Sequence, residues 1–345
     1  MLRRVNAIAG RTMRGPMTDP HPYARLTPDV VLNALESLGL RCDGRLLALN
    51  SYENRVYQVG LDETHPARFV VAKFYRPARW YEAAIAEEHE LAATLAAAEI
   101  PVIAPLAFDG ATLFHHGGFR FAVYPRRGGR APELEDAATL EWLGRFIARI
   151  HAVGATRRFK HRPRLDIERF GTEPRAFLAA SGFIPPDLAT PWKQAADLAL
   201  EAVRHAYERA RGVRDIRVHG DCHVGNVLWA DGPHFVDLDD TCMAPAVQDL
   251  WMLISGDRPS MSRQLGHLLD GYGEFMEFDP RELELVEALR TLRLLHYSAW
   301  LARRWDDPAF PIAFPWFNTA RYWQDRILEL REQIAAMHEP AITPG

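Results

Sequence analysis

Residues 218–240 read VHGDCHVGNVLWADGPHFVDLDD and set Asp221, Asn226, Asp237, Asp239 and Asp240 around two short apolar runs. Carboxylates this dense are costly to bury unless positive charge sits among them. The pattern points to Mg²⁺ and the phosphates of a nucleotide as the missing partners. An apolar run at 216–218 enters the loop HGDCHVGN, and a second at 227–229 leads to Asp231-Gly232, a strong hairpin-turn signal. A third run, 234–236, returns to the acidic tail DLDD. A hairpin of this size brings Asn226 beside Asp237 despite eleven residues of separation. Asp221, five residues before Asn226, can curl to face the same point.

Mg²⁺ takes hard oxygen ligands and usually only one or two carboxylates besides phosphate oxygens. An amide carbonyl adds a ligand without adding charge. Asn226 and Asp237 are therefore the candidate metal ligands. Asp221 is the candidate base, free to orient an attacking hydroxyl and accept its proton late in the reaction. Zinc on His219, Cys222 and His223 is disfavoured, because structural zinc needs a fourth ligand and usually a second, separated ligand pair. His219 is expected to hydrogen-bond locally and shape the loop. Cys222 as a nucleophile would need a distant base and an oxyanion site that the sequence does not suggest.

Around this stretch the chain has the composition of a folded globular protein, 48% hydrophobic and 25% charged over 345 residues. Its 41 basic and 45 acidic residues leave a net charge of −4, with no basic footprint for nucleic acid or an acidic membrane surface. Cys42, Cys222 and Cys242 form no CxxC and no even disulfide framework, which suits a reducing cytoplasm. No apolar run approaches the ~20 residues a membrane helix needs. The start, MLRRVNAIAGRTMRG, lacks the apolar core of a secretory signal, so residues 1–20 read as a disordered extension.

From residue 28 the periodicity predicts a short helix over 28–39, strands over 46–49, 55–59 and 67–75, and a helix over 80–98. Two or three further strands are expected in 101–125. The run RRGGRAP at 126–132 interrupts both periodicities and reads as a linker. Helices are expected over 137–153, 190–211, 246–254, 260–272, 280–304 and 320–337. The class is α+β: a small lobe over 21–125 with an antiparallel sheet plus helix, a hinge at 126–132, and a large mainly helical lobe over 133–345.

The spacing of His219, Asp221 and Asn226 resembles H-R-D-x-x-x-x-N, the protein-kinase catalytic loop, with Gly220 in place of Arg. Asp237-Leu238-Asp239 stands where D-F-G would. Lys73 in VVAKFY resembles the V-A-I-K element, and a lysine amid bulky apolar strand residues is unusual unless it is paired. Its partner should be a Glu on the following helix. Among Glu82, Glu87, Glu88 and Glu90, Glu88 lies three and seven residues before Leu91 and Leu95, hence on the inward face, with Glu87 as runner-up.

HGDCHVGN followed by a D-x-D triplet resembles the aminoglycoside/choline-phosphotransferase branch of the protein-kinase-like fold. LNSYENRVYQV (49–59), VVAKFYRPARW (70–80), FVDLDD with AVQDLWML (235–253) and AWLARRWDDPAFP (299–311) are similar to the bacterial stress-response serine/threonine protein kinases. The resemblance implies a bilobal kinase fold, ATP as co-substrate, Mg²⁺ as cofactor, and transfer to Ser or Thr of proteins, the chain itself included. It implies Asp221 as proton acceptor, Asn226 and Asp237 as Mg²⁺ ligands, Asp237 as a second active-site residue, Ser51 in contact with ATP, and backbone at 124–127 meeting the adenine. Lys73 and Glu88 complete the nucleotide site.

The wider kinase pattern is departed from at NSYEN, which replaces a Gly-rich phosphate loop and should be stiffer. The stretch DLDDTCMAPAVQDL is expected to run almost directly into a helix that Asp249 anchors. A small-molecule hydroxyl kinase of aminoglycoside, choline or homoserine type is the alternative reading. Aromatic stretches at 297–305 and 315–323 are candidate acceptor walls, although such spacing more often packs a core. Nothing requires a partner chain, so a monomer is expected.

Overall fold

The computed structural model describes residues 21–345, so the expectation for 1–20 lies outside the described residues. The first helix, α1 (Pro28–Glu36), starts on Thr27, whose hydroxyl accepts the Val30 N–H, with Pro28 opening its first turn. Strands β1 (Cys42–Ala48), β2 (Arg55–Leu61) and β3 (Phe69–Phe74) follow as an antiparallel meander. After α2 (Glu82–Ala97), β4 (Phe114–His116) and β5 (Phe119–Pro125) complete a five-stranded sheet in the order β1-β2-β3-β5-β4. β3 is therefore the central strand, which excludes Lys73 as a solvated edge lysine.

One face of the sheet buries Val59, Val70, Phe74, Phe121 and Val123 against Val31 and Leu35 of α1. The other carries α2, which has two allegiances. Its first turns reach the sheet through Ile85 and Glu88, whereas Leu91, Ala92 and Leu95 join the large core of the helical region. That core is built from α3 (Ala137–Gly154), α4 (Glu173–Ala180), α5 (Pro186–Arg209), α6 (Arg258–Gly273), α7 (Val286–Arg303), α8 (Ala309–Ala313) and α9 (Ala320–His338). Two small antiparallel pairs sit among these helices. The strands β6 (Ile216–Val218) and β9 (Cys242–Ala244) form one, and the hairpin of β7 (Val227–Trp229) and β8 (Pro233–Phe235) forms the other.

The hairpin and most helices lie where periodicity put them. The helix expected at 246–254 does not form. Two 3₁₀ turns, Ala246–Asp249 and Trp251–Leu253, take its place, and β9 intervenes between them and the acidic tail. Tertiary hydrogen bonds win over local spacing here. Asp249 accepts the backbone N–H groups of His219 at 2.7 Å and Gly220 at 2.8 Å, and Gln248 donates to the Gly220 carbonyl at 2.8 Å. Asp249 thus anchors the loop before β7, rather than a helix of its own. The short helices α4 and α8 carry too few residues for a periodic signal and were not expected.

The first of these 3₁₀ turns is held from below by Glu282, which is buried and accepts the Val247 N–H at 2.7 Å. Burial pushes its carboxyl up to about 7. The folded chain then holds a proton there that the unfolded chain, with an ordinary carboxylate, has lost above about pH 4.5. Stability from this group is present at low pH and is lost as pH rises toward 7. Glu282→Gln keeps the acceptor and removes the titration. Denaturant unfolding from pH 5 to 8 should show wild type losing on the order of 2 kcal/mol relative to the variant. Parallel curves would contradict the assignment.

Candidate active site

The loop between β6 and β7 is rigid by construction. The His219 ring is buried and its Nε2 donates to the Val236 carbonyl at 2.9 Å, which ties the loop to the far strand of the hairpin. Gly220 adopts φ +88°, and a Cβ there would lie 2.2 Å from the Asp240 carbonyl oxygen. No side chain fits, which explains why glycine replaces the arginine of the wider kinase motif. Asp249 closes the arrangement by bonding His151 Nε2 at 3.0 Å besides its two backbone donors.

On this scaffold the carbonyl of Asn226 accepts the Val236 N–H at 3.0 Å, one residue before Asp237. The Asn226 amide Nδ2 donates to the Asp221 carbonyl at 2.9 Å. Its Nδ2 is therefore committed to the loop, and its carbonyl oxygen is the end suited to a cation. Asp237 sits at φ +58°, ψ +64°, a left-handed conformation that costs a non-glycine residue about 1 kcal/mol or more and is concentrated at functional sites. Its side chain is 48% exposed, so its carboxylate faces accessible space. Among the described residues no three His, Cys, Asp or Glu side chains cluster as a metal site. A hard two-oxygen donor set fits Mg²⁺ that completes its shell with phosphate and water, and it does not fit zinc. Cys222 is fully buried, and burial pushes its thiol well above the ordinary value, so it is no nucleophile.

Lys73 reaches this point from the sheet. Its Nζ lies 3.2 Å from Glu88 Oε1, 3.1 Å from Asp237 Oδ1 and 3.2 Å from Asp239 Oδ1. Burial alone would lower the ammonium pKa, but Asp239, Glu88 and Asp237 together hold it well above the usual lysine range. Glu87, the runner-up, faces away and accepts the backbone N–H groups of Lys160, His161 and Arg162. Two arginines that the motifs did not flag complete the balance. Buried Arg162 donates to Glu88 at 3.3 Å and to the Leu238 and Asp239 carbonyls at 3.2 and 2.9 Å. Arg79 pairs with Asp239 and with Asp240. Both arginines also stack on Trp80, so the run RPARW carried a signal for Arg79.

Asp221 is held from the other side. Arg293 Nη1 of α7 lies 2.6 Å from its Oδ1, and His223 Nε2 is 3.5 Å from its Oδ2. The His223 Nδ1 accepts the Gly225 N–H, so the ring proton belongs on Nε2, toward the carboxylate. Burial pushes the Asp221 carboxyl up, yet the His223 hydrogen bond and the Arg293 charge outweigh it and hold it below the usual range. It is ionised at neutral pH.

The turn 50–54 borders the same charge set, with Glu53 Oε1 3.7 Å from Arg79 Nε. Ser51 Oγ donates to the Asn54 carbonyl at 3.2 Å. Glu53 is seized by the helical region, accepting from Trp300 Nε1 at 2.5 Å and from Arg304 at 2.5 and 2.9 Å. Buried Asp307 answers it by accepting from Arg55 at 2.9 Å and Arg76 at 3.1 Å. Of the aromatic stretches, Phe317, Tyr322 and Trp323 are buried core, which Phe310 and Phe314 between the two stretches extend. Tyr297 and Trp316 instead border a cleft of about 530 Å³.

Residues 45–286 match the model of the phosphotransferase enzyme family. The chain is 45% identical over 320 residues to stress response kinase A of Escherichia coli (strain K12), covering 93% of this chain and 96% of that one. It is 43% identical over 320 residues, with the same coverage, to the serine/threonine protein kinase RdoA of Salmonella typhimurium. Among solved structures it resembles amicoumacin kinase in complex with AMP-PNP, Ca²⁺ and its ligand, with a TM-score of 0.67 at 19% identity, covering 92% of this chain and 95% of that one. At that identity the likeness speaks for the fold alone.

The geometry separates two kinds of aspartate. Asp249→Ala strips partners from two backbone N–H groups and a buried histidine, and should lower stability by about 3 kcal/mol. Asp221→Ala removes a partly exposed carboxylate whose arginine partner can turn to solvent, and should cost less than about 1 kcal/mol. Denaturant midpoints measure both, and equal losses would show that Asp221 is structural.

Proposed function

The chain belongs to the phosphotransferase enzyme family and is a serine/threonine protein kinase of the stress-response type, and from that premise we propose how its residues divide the work. Residues 21–125 act as the nucleotide-binding lobe, 126–132 as the hinge, and 133–345 as the lobe that holds the acceptor. Lys73, kept in line by Glu88, meets the ATP phosphates, and the turn bearing Ser51 covers them. Asn226 and Asp237 would hold Mg²⁺, which when bound supplies charge neutralisation at the phosphate oxygens. The observation that best supports this reading is the meeting of Lys73 with both Glu88 and Asp237, since it joins the strand, the helix and the acidic tail at one point.

Asp221 orients the Ser or Thr hydroxyl of the acceptor. As the hydroxyl oxygen bonds to the γ-phosphorus, the bond from that phosphorus to the β–γ bridging oxygen breaks and ADP leaves. The hydroxyl proton passes to Asp221. An aspartate carboxylate is a weak base toward an alcohol, so proton transfer comes late, when the oxygen has already lost its basicity to phosphorus. Catalysis is then mostly positioning and charge stabilisation, which suits a loop as rigid as this one. Among the described residues no helix is long and apolar enough to cross a membrane. The three cysteines are all free, which supports a reducing, cytoplasmic setting.

With labelled ATP and a general protein acceptor, Asp221→Ala should lower turnover by about 10²–10⁴-fold while nucleotide affinity stays within a few-fold of wild type. Asp237→Ala should abolish the Mg²⁺-dependent part of nucleotide binding. Turnover retained by both variants would show that the site lies elsewhere. Transfer confined to small alcohols and amines would overturn the protein-kinase reading.

A further inference from the structure

Beside the base a cleft of about 430 Å³ opens to solvent. Its lining includes His223, Trp251, Met252, Met261, Arg290 and Arg293, with two arginines and no carboxylate among the described residues that form it. Arg290 is already committed. It donates to Glu287 at 3.0 Å and to the Ile254 carbonyl at 3.1 Å, and its guanidinium lies over the Trp251 ring. Arg293 is different. Its side chain is 41% exposed, and its hydrogen bond among the described residues is the one from Nη1 to Asp221. A guanidinium offers five N–H donors in a planar fork that matches a carboxylate with two parallel bonds. Arg293 uses one.

The pairing also poses a problem for catalysis. Arg293 Nη1 stands 2.6 Å from Asp221 Oδ1 and His223 Nε2 3.5 Å from Oδ2, so a hydroxyl arriving at the base shares each oxygen with a donor that lowers its proton affinity. We propose that the acceptor itself resolves this: the segment carrying the Ser or Thr bears an Asp or Glu nearby, whose carboxylate takes Arg293 from Asp221. The exchange anchors the acidic peptide in the cleft and frees Oδ1 for the hydroxyl. Arg293 thereby sets specificity and positions the base, and the kinase selects acidic acceptor sites. An acceptor bearing an ammonium group meets the Arg293 guanidinium instead, which disfavours small cationic alcohols in this cleft. The inference rests on the protein-kinase reading and narrows it to a substrate class.

Matched serine peptides with Glu, Ala or Arg in the flanking positions test it, with kcat/KM measured for wild type, Arg293→Ala and Arg293→Lys. Wild type should prefer Glu over Ala by roughly tenfold, with Arg poorer still, and the preference should shrink at high ionic strength. The Glu-to-Ala ratio should fall to near one in Arg293→Ala and be partly kept in Arg293→Lys. Equal use of the three peptides by wild type, or an undiminished Glu preference in Arg293→Ala, would overturn the proposal while leaving the protein-kinase reading intact. Phosphorylation of small alcohols with no peptide or protein labelled would overturn both.

Discussion

The structure depends on keeping one buried ammonium among carboxylates. Lys73 sits within 3.2 Å of Glu88, Asp237 and Asp239, and Arg79 and Arg162 return the positive charge that three carboxylates demand. No member of this set could be buried alone, since an unpaired interior charge costs several kcal/mol. The members come from β3, from the helix α2 that follows it, from the loop between those two, from the turn after β8 and from the loop after α3. Charge balance therefore holds only when the sheet and the helical region are assembled together. The acidic tail that looked too dense to bury is affordable because the rest of the chain brings it three cations.

A second set of ion pairs fixes the other side of the same region. Glu53 reaches Trp300 and Arg304, and Asp307 reaches Arg55 and Arg76, so the turn 50–54 is held by the helical region as well as by its own strands. This accounts for the missing glycines. A flexible phosphate loop closes by folding over its ligand, whereas here side-chain charges hold the turn in position and glycine freedom is not required. The expected stiffness has a cause that the loop sequence alone did not contain, because the restraining arginine and tryptophan lie some 250 residues downstream.

What could be read in advance follows from how local each signal was. The hairpin over 227–235 was legible because Asp231-Gly232 stands between two short apolar runs, and it carried Asn226 and Asp237 together. Glu88 was legible because helical periodicity distinguishes an inward from an outward glutamate one residue apart. Arg162 and Arg293 were not, since each acts through a tertiary contact that no spacing encodes. The failed helix at 246–254 belongs to the same class. Its apolar spacing suits a helix, but Asp249 and Gln248 are spent on the backbone of the loop around Gly220. The aromatic stretches at 297–305 and 315–323 are largely packing, the commoner fate of such residues.

Taken together, the sheet presents a lysine, the hairpin presents an amide and a carboxylate, and the loop before it presents a second carboxylate aimed at a cationic cleft. The lysine and the hairpin carboxylate belong to the one buried charge set, and the role of that set can be measured. Titration of Lys73→Met with ATP in the presence of Mg²⁺, followed calorimetrically on protein shown to be folded, is the most direct test. The account predicts affinity lower by at least about tenfold, from loss of a charge-assisted contact to phosphate. Unchanged affinity would contradict it, because the ammonium would then be structural and the nucleotide phosphates would have to lie elsewhere.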